Sequence, residues 1–194
     1  MKKLVLTLIL PILLFQVPPA AAMDDAAGAE TFLKGQIDRV IQTLTVDGVS
    51  EETKKSLVSD IASSFFDFPL MAKLTLGRQH WSALSEAERK KFTDLFVERL
   101  KSSYLDKMMH YTKETILYSA PITAGKKVHI PTTLISDDKK ISMLYKLYKS
   151  DRNWKLYDME IQDVSLVQSF RSQFSEILAK GTIKDLFDRM ERPQ

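Results

Sequence analysis

The residue types that most often carry chemistry are few and widely spaced in this sequence. It has no Cys, which removes disulfides, thiolate nucleophiles, Cys-ligated zinc and iron–sulfur clusters. Its three His residues, His80, His110 and His129, lie too far apart for a local two-His zinc motif. The six Gly residues are scattered, so neither a P-loop nor a dinucleotide fingerprint can form. We therefore expect no metal and no cofactor.

Asp158 is the carboxylate with the best claim to a catalytic role. It lies in an apolar strand context, where it could be a buried general base beside a His, as in cone-shaped α+β isomerases. The alternative is an Asp at the sheet surface or bonded to backbone, because strand alternation leaves one face in water. The second interpretation is favoured, so we do not expect an enzyme.

The first 22 residues have the three parts of a cleaved signal peptide. Residues 1–3 are basic, residues 4–15 form an apolar run, and residues 20–22 are the small residues that signal peptidase accepts. The run is shorter than the roughly 20 apolar residues that cross a bilayer, and Pro11 interrupts it. We expect cleavage after Ala22 and a periplasmic location.

Charge and composition favour an ordinary globular domain. The chain has 28 Lys and Arg, two of them in the leader, against 25 Asp and Glu. It contains no run of five or more like charges, so nucleic acid is not an expected partner. Hydrophobic residues at 44% and charged residues at 27% are typical of a soluble fold. We expect one domain over residues 23–194, and a monomer.

Apolar residues recur at helical spacing through the first half of this domain. They predict helices over residues 30–44, after Ser50, over residues 69–75, and behind a capping box made by Ser85 and Glu88. In the helix behind this capping box, apolar side chains recur every four residues, at Phe92, Phe96, Leu100, Tyr104 and Met108. Such a stripe must be buried against a large apolar surface.

The apolar period changes to two after Tyr111. Alternation predicts four strands, over residues 116–122, 128–134, 141–147 and 154 to about 162, joined by short turns near residues 124–126, 137–138 and 150–153. Short turns pair neighbouring strands antiparallel, as a meander. Two further helices follow caps at Ser165 and Thr182. The order predicts an α+β fold: N-terminal helices, a four-stranded antiparallel meander sheet, and C-terminal helices packed on the sheet.

Five segments in a fixed order resemble one family. They are residues 66–72, 76–81, 88–92 with the stripe behind them, 154–159, and 164–165 followed by Arg171 and Phe174. Behind a signal peptide, they resemble the MlaC family over about residues 30–190. This is the periplasmic phospholipid-binding component of the Mla lipid transport system, also called the toluene tolerance or ABC transporter auxiliary family. One departure is Asp163, where relatives usually carry Gly, which puts a tight turn there in doubt.

The resemblance implies a soluble carrier that holds phospholipid acyl chains in an apolar cavity between a curved sheet and its helices. The lipid is cargo rather than a cofactor. The implied partners are phospholipid, an inner-membrane Mla-type ABC transporter complex and an outer-membrane lipoprotein complex. A small-molecule enzyme with a cone-shaped α+β cavity and a ligand-free periplasmic adaptor remain as alternatives.

The expected lining of that cavity comes from both layers of the fold, with the stripe of the long helix facing the inward face of the sheet. On the sheet it is Val128, Ile130, Leu134, Met143, Tyr145 and Leu147; on the long helix Phe92, Phe96, Leu100 and Tyr104; and at the two sides Leu70, Leu74 and Trp81, and Phe170 and Phe174. Ordinary core packing is the alternative for each aromatic residue. The lipid headgroup is expected at the mouth, where Lys126-Lys127 or Lys139-Lys140 could be contacts or simply solvated turn charges.

Overall fold

The structure is a computed structural model that describes residues 20–109, 114–136, 139–151 and 153–192. Residues 1–19 of the expected leader, His110 and the expected turn at residues 137–138 lie outside these ranges. The described elements, in chain order, are α1 (Ala20–Thr45), α2 (Glu51–Phe65), α3 (Phe68–Leu76), α4 (Arg78–Ala83), α5 (Glu86–Met109), β1 (Thr115–Tyr118), β2 (Ile122–Ala124), β3 (Lys127–Ser136), β4 (Lys139–Lys149), β5 (Trp154–Ile161), β6 (Val164–Ser165), α6 (Leu166–Lys180) and α7 (Ile183–Glu191). Along the chain, helices come first, then the strands of an antiparallel sheet, and then helices again. The expected α+β order is therefore confirmed.

Side-chain caps begin the helices where the sequence places them. Glu88 Oε2 accepts a hydrogen bond from Ser85 N at 2.8 Å, and Ser85 Oγ accepts one from Glu88 N at 3.3 Å. Thr182 and Asp185 form the same reciprocal box at the start of α7. Each box satisfies backbone donors that a helix start leaves free. Two helices differ: α1 begins at Ala20, ten residues before the expected start, and α4 begins after Gly77 without a side-chain cap.

The expected four-stranded sheet is wrong in strand count, because the described residues form a sheet of six strands. Residues 116–122 were expected to form one strand, but residues 119–121 interrupt it, and β1 and β2 each pair with β3. Pro121 has no N–H to donate, which is a physical reason for the break. The short β6 adds to the other edge of the sheet, beside β5. All strand pairs are antiparallel, as the short turns predict.

The turn between β5 and β6 keeps a tight conformation without glycine. Gln162 has φ 49° and Asp163 has φ 62°. Two successive positive φ angles are what a type I′ hairpin turn requires. Asp adopts this region more readily than most residues, although less freely than Gly. The tight turn that Asp163 put in doubt is therefore present. The backbone of residue 163 is left-handed there, although the residue is Asp and not Gly.

The register places the expected sheet residues on one face. Directly opposed residues of an antiparallel pair point to the same side, and the opposed pairs are Val128 with Leu147, Ile130 with Tyr145, Thr132 with Met143, and Leu134 with Ile141. Helices α1 and α2 pack against this inner face through Leu33 and Phe65. The shared face predicted from the strand period is thus confirmed.

The buried apolar residues divide into two clusters. The helix cluster is Met71, Ala72, Leu76, Leu84, Phe92, Phe96, Leu100, Leu166, Val167, Phe170, Phe174, Leu186, Phe187 and Met190. The sheet cluster is Ala29, Leu33, Ile61, Phe65, Val128, Ile130, Tyr145, Leu147, Trp154 and Leu156. The α5 stripe was expected to face the sheet directly. Instead α5 packs on α2, α3 and α7, because α1 and α2 occupy the sheet's inner face.

Candidate functional site

The two clusters meet at a line of half-buried apolar residues that we name the seam: Phe66, Tyr118, Met143, Met159 and Ile161. Phe66 and Met159 pack against both clusters, Ile161 against the helix cluster, and Tyr118 and Met143 against the sheet cluster. On the sheet, Met143 lies opposite Ile161. These side chains are apolar but incompletely covered, so the seam is where the fold offers an apolar ligand a surface to pack against.

A β-bulge decides which side chains of β5 reach the seam. Leu147 opposes Leu156, but Tyr145 opposes Met159, so the register shifts by one residue at Tyr157. With strict alternation Asp158 would share the inner face with Leu156. The extra residue sends Met159 inward instead, and leaves Asp158 on the outer face.

Two buried polar groups lie in the same inner-face rows as the seam. Thr132, opposite Met143, is 3% exposed, and its Oγ1 makes no hydrogen bond of normal geometry with any described residue. The Tyr145 hydroxyl donates to Met143 Sδ at 3.6 Å, and it lies near enough to Thr132 to interact weakly with it. Burial raises the pKa of the Tyr145 phenol, so it stays a neutral donor. Such under-used groups could pair with oxygen atoms of a ligand.

Asp158, the best catalytic candidate in the sequence, has a structural role. It is 5% exposed, and its carboxylate accepts hydrogen bonds from Ser165 Oγ at 2.8 Å and Val167 N at 3.1 Å, and pairs with Lys146 Nζ at 2.9 Å. It therefore anchors the N-terminus of α6 to the sheet, where a negative charge is favourable. The interpretation of a backbone-bonded Asp is confirmed; a position at the sheet surface is not.

The groups around Asp158 complete a polar patch on the outer face of the sheet. Burial lowers the pKa of Lys146, but hydrogen bonds to Glu160 and Asp158 outweigh it, so the net shift is upward. His129 shares a hydrogen bond of 3.0 Å between its Nε2 and the Tyr157 hydroxyl. Burial, with Lys146 and Lys127 nearby, lowers the pKa of His129, so its ring is neutral at pH 7. The patch consists of satisfied pairs that join β3, β4, β5 and α6.

The described ranges contain neither a metal-binding cluster nor a membrane-spanning helix. There, His, Asp and Glu side chains form no group of three or more that could hold a metal ion. None of the helices in those ranges combines the length and apolar content that crossing a bilayer requires.

The expected lining residues are distributed among several places. Phe92, Phe96, Leu100, Phe170 and Phe174 lie inside the helix cluster, and Leu74, Trp81 and Tyr104 pack half-buried against it; Val128, Ile130, Tyr145 and Leu147 lie inside the sheet cluster; Met143 is in the seam. Leu70 and Leu134 are half-buried and belong to neither cluster. The structure therefore brings together each half of the expected lining in its own cluster, and Phe66 and Met159 of the seam pack against both clusters.

Sequence reasoning missed most of the seam. Phe66, Tyr118, Met159 and Ile161 were not on the expected lining, nor was Thr132. Phe66 and Met159 stand inside the family-like segments, which is a signal that could have found them. The bulge that turns Met159 inward has no signature in the strand alternation. The same shift decides the face of Ile161, so the sequence could not predict that Ile161 lies in the seam.

Two open pockets lie among the helices. One of about 740 Å³ is bordered by Phe170 and Phe174, but most of its lining is charged or polar, with Arg99, Lys180 and Asp185 among it. The other, of about 630 Å³, is bordered by Leu74 and Trp81, but four Lys and Arg side chains also line it. Charged walls do not suit acyl chains, so we place the candidate acyl-chain site at the seam.

Comparison with known proteins gives the family. Residues 34–192 match the family profile described as MlaC protein. No curated protein sequence matches the chain. A solved phospholipid-binding protein from Ralstonia solanacearum, in complex with a phospholipid, has the same fold with a TM-score of 0.77 at 22% sequence identity, over 84% of this chain and 94% of that one. Because the family profile covers most of the sequence, this chain belongs to the MlaC family.

Proposed function

We propose that this protein is a periplasmic phospholipid carrier that exchanges lipid with an outer-membrane lipoprotein complex and an inner-membrane Mla-type ABC transporter complex. It performs no chemical reaction, and the lipid is its cargo. The observation that carries the proposal is membership of the MlaC family over residues 34–192. The phospholipid bound to the Ralstonia protein supports the class of ligand, since the two chains share a fold.

The acyl chains would lie along the seam. Half-buried Met143, Met159 and Ile161 offer apolar contacts there, and methionine side chains repack easily around ligands of different shape. Leu134 extends the same inner face toward the β3–β4 hairpin. The other residues of the expected lining, except Leu70, would support this site from the two clusters behind it.

The energetics of lipid burial require transfer in contact with a partner. Removing about 30 methylene groups from water is worth roughly 24 kcal/mol, at about 0.8 kcal/mol each. The same term is near zero relative to a bilayer, because the chains are already out of water there. Release into water would therefore be very slow, and a docked complex must offer the chains another apolar environment.

Export is part of the proposal. Residues 1–22 would be removed, leaving a mature domain that begins at Met23, inside α1. The intact mass of protein exported from a bacterial host tests this step. A mass that retains the 22 leader residues would contradict it.

The direct test is to purify the mature protein without detergent and weigh it by native mass spectrometry, with lipid extraction beside it. We expect about one phospholipid per chain. Folded protein that carries no lipid and takes up none from vesicles would favour a ligand-free adaptor. A substrate turnover abolished in Asp158→Asn would favour the enzyme, an alternative weakened by the saturated hydrogen bonding of that carboxylate.

The position of the acyl chains is tested by Met143→Asp. A charge at this half-buried seam site should leave the protein folded but exclude lipid, because the carboxylate holds water where acyl chains would pack. Ser142→Asp is the matched control, since it adds the same charge one residue away, on the exposed outer face of β4. Lipid retained in both variants would remove the seam as the binding site.

A further inference from the structure

One pocket of the molecule has walls of a single charge. It is the 630 Å³ pocket between α3, α4, α5 and α6, and four cations border it: Lys73, Arg78, Arg89 and Arg171. No acidic residue is among its lining. The chain as a whole is almost balanced in charge, with 28 Lys and Arg against 25 Asp and Glu. This concentration of positive charge is therefore local.

Three of these cations are without a partner. The side chains of Lys73, Arg78 and Arg171 form no ion pair or hydrogen bond with any residue in the described ranges. Many other cations do: Lys34, for example, pairs with Glu30. Like charges that converge without a counter-charge repel one another, and a bound anion would relieve that repulsion.

Arg89 and Gly77 shape the pocket. Arg89 donates from Nε to Trp81 O at 3.0 Å and from Nη2 to Ser82 O at 3.4 Å, so it is held in place by α4. Gly77 has φ 78°, and a Cβ there would lie 3.8 Å from Arg171 Nη2. The glycine thus lets the chain turn between α3 and α4 directly beside the Arg171 guanidinium.

The remaining wall is apolar. Leu74 and Trp81 border the same pocket, and the Arg89 guanidinium carbon lies 5.8 Å from the centre of the Trp81 ring. A pocket of this volume takes a small ligand rather than a peptide segment. Guanidinium groups bind phosphate with two parallel hydrogen bonds, and the apolar wall suits the carbon part of a phosphate ester.

We propose that this pocket binds the phosphodiester of a glycerophospholipid headgroup, with the glycerol part against Leu74 and Trp81. It is distinct from the seam, since no seam residue borders it. It also differs from the turn lysines considered from sequence, which lie on the sheet: Lys127 is at the start of β3, and Lys139 and Lys140 are at the start of β4.

Titration calorimetry of the lipid-loaded mature protein tests the site with two soluble probes, glycerophosphoglycerol and inorganic phosphate. We expect the diester to bind, more tightly than phosphate, with an affinity that falls as salt is added. The double variant Arg78→Gln/Arg171→Gln should bind at least about tenfold more weakly, since each charge-assisted hydrogen bond is worth about that factor. Both side chains are exposed, so the fold should survive; Lys73→Gln is a milder third variant.

Lys139→Gln/Lys140→Gln is the matched control, because it removes two exposed cations elsewhere. Equal weakening in this control would overturn the proposal, since the effect would then be one of net charge. Equal affinity for inorganic phosphate and the diester would overturn the assignment to a lipid headgroup. Vesicles of phosphatidylcholine and phosphatidylglycerol in equal parts should bind wild type better than the pocket variant; equal binding would also count against it.

The copurified phospholipid is measured on the same samples. We expect the pocket variant to keep its cargo, so loss of anion binding with retained cargo supports two separate sites. Wild type that binds the diester but carries no phospholipid would overturn the carrier function while leaving the pocket in place.

Discussion

The helix cluster and the seam are both apolar and aromatic, but they differ in how completely they are closed. In the helix cluster Phe92 lies edge to face with Phe174 at 5.5 Å, and Phe96 with Phe170 at 5.2 Å, and both Phe92 and Phe96 are 0% exposed. The seam has half-buried methionines instead, and the buried Thr132 hydroxyl beside it makes no hydrogen bond of normal geometry within the described residues. Interlocking rings are a packed core, whereas flexible side chains beside open surface can accept a ligand.

The comparison shows that strong helical periodicity marks the core here, and not the proposed site. The α5 stripe is regular because one helix face meets neighbours along its whole length. The seam is irregular because its residues come from the end of α2 and from the strands β1, β4 and β5. A proposed ligand site at such a junction belongs to no single periodic element.

The largest expected difference between the two regions is their tolerance of charge. Phe96→Asp should unfold the protein, because a buried unpaired carboxylate costs several kcal/mol against a total stability of about 5–15 kcal/mol. Leu134→Asp, at a half-buried site on the sheet, should fold. Circular dichroism and urea unfolding measure both, with Ser102→Asp on the exposed side of α5 as control. Equal loss of structure at positions 96 and 134 would contradict the expected difference in tolerance of charge.

Truncation should separate the regions by a smaller amount. Phe92→Ala removes a ring that contacts Trp81, Phe174 and Phe187, and should cost about 3–5 kcal/mol in the free energy of unfolding. Met143→Ala should cost less than about 2 kcal/mol, because its site is already partly open. Urea unfolding of delipidated protein is the measurement, since bound lipid would add its own stabilisation. Similar costs would mean that the seam is as tightly packed as the core.

High pH should weaken a link between the sheet and helix α3. The Tyr148 hydroxyl on β4 donates to Asp67 Oδ2 at the start of α3, and burial, then this carboxylate, raises the pKa of Tyr148 to about 12. An unfolded Tyr titrates near 10, so between about pH 10 and 12 the unfolded state loses its proton first and stability falls as pH rises. Tyr148→Phe should show a shallower fall in the urea midpoint over this range. Parallel curves for variant and wild type would contradict the assignment.

The smallest expected effect concerns the turn that follows β5. Asp163→Gly should raise the free energy of unfolding by up to about 1 kcal/mol, because Gly adopts a φ of 62° without a Cβ clash. The thermal midpoint measures the gain. Asp151→Gly, at an exposed turn position without a positive φ, should be neutral or destabilising. A gain in the control equal to that at position 163 would rule out backbone strain as the cause.

Much of the fold was readable from the sequence because the signals are local. The capping box at Ser85, the cap at Thr182, the change of apolar period after Tyr111, and the short turns predict the element order and the antiparallel pairing. Strand period alone placed Val128, Ile130 and Tyr145 on one face, and the register agrees. Local hydrogen bonds and periodicity determine these features, so no knowledge of distant contacts was needed.

Tertiary structure alone decided what those faces meet. The sequence shows that the α5 stripe and the sheet's inner face are both apolar, but apolar surfaces have no specificity for one another. That α1 and α2 cover the sheet while α5 packs on α3 and α7 depends on chain connectivity and volume. The bulge at Tyr157 likewise arises from pairing with β4 and the docking of α6 on Asp158, and it turns Met159 into the seam. The sequence determined the elements and their apolar faces, and only three-dimensional packing decided where those faces leave room for a ligand.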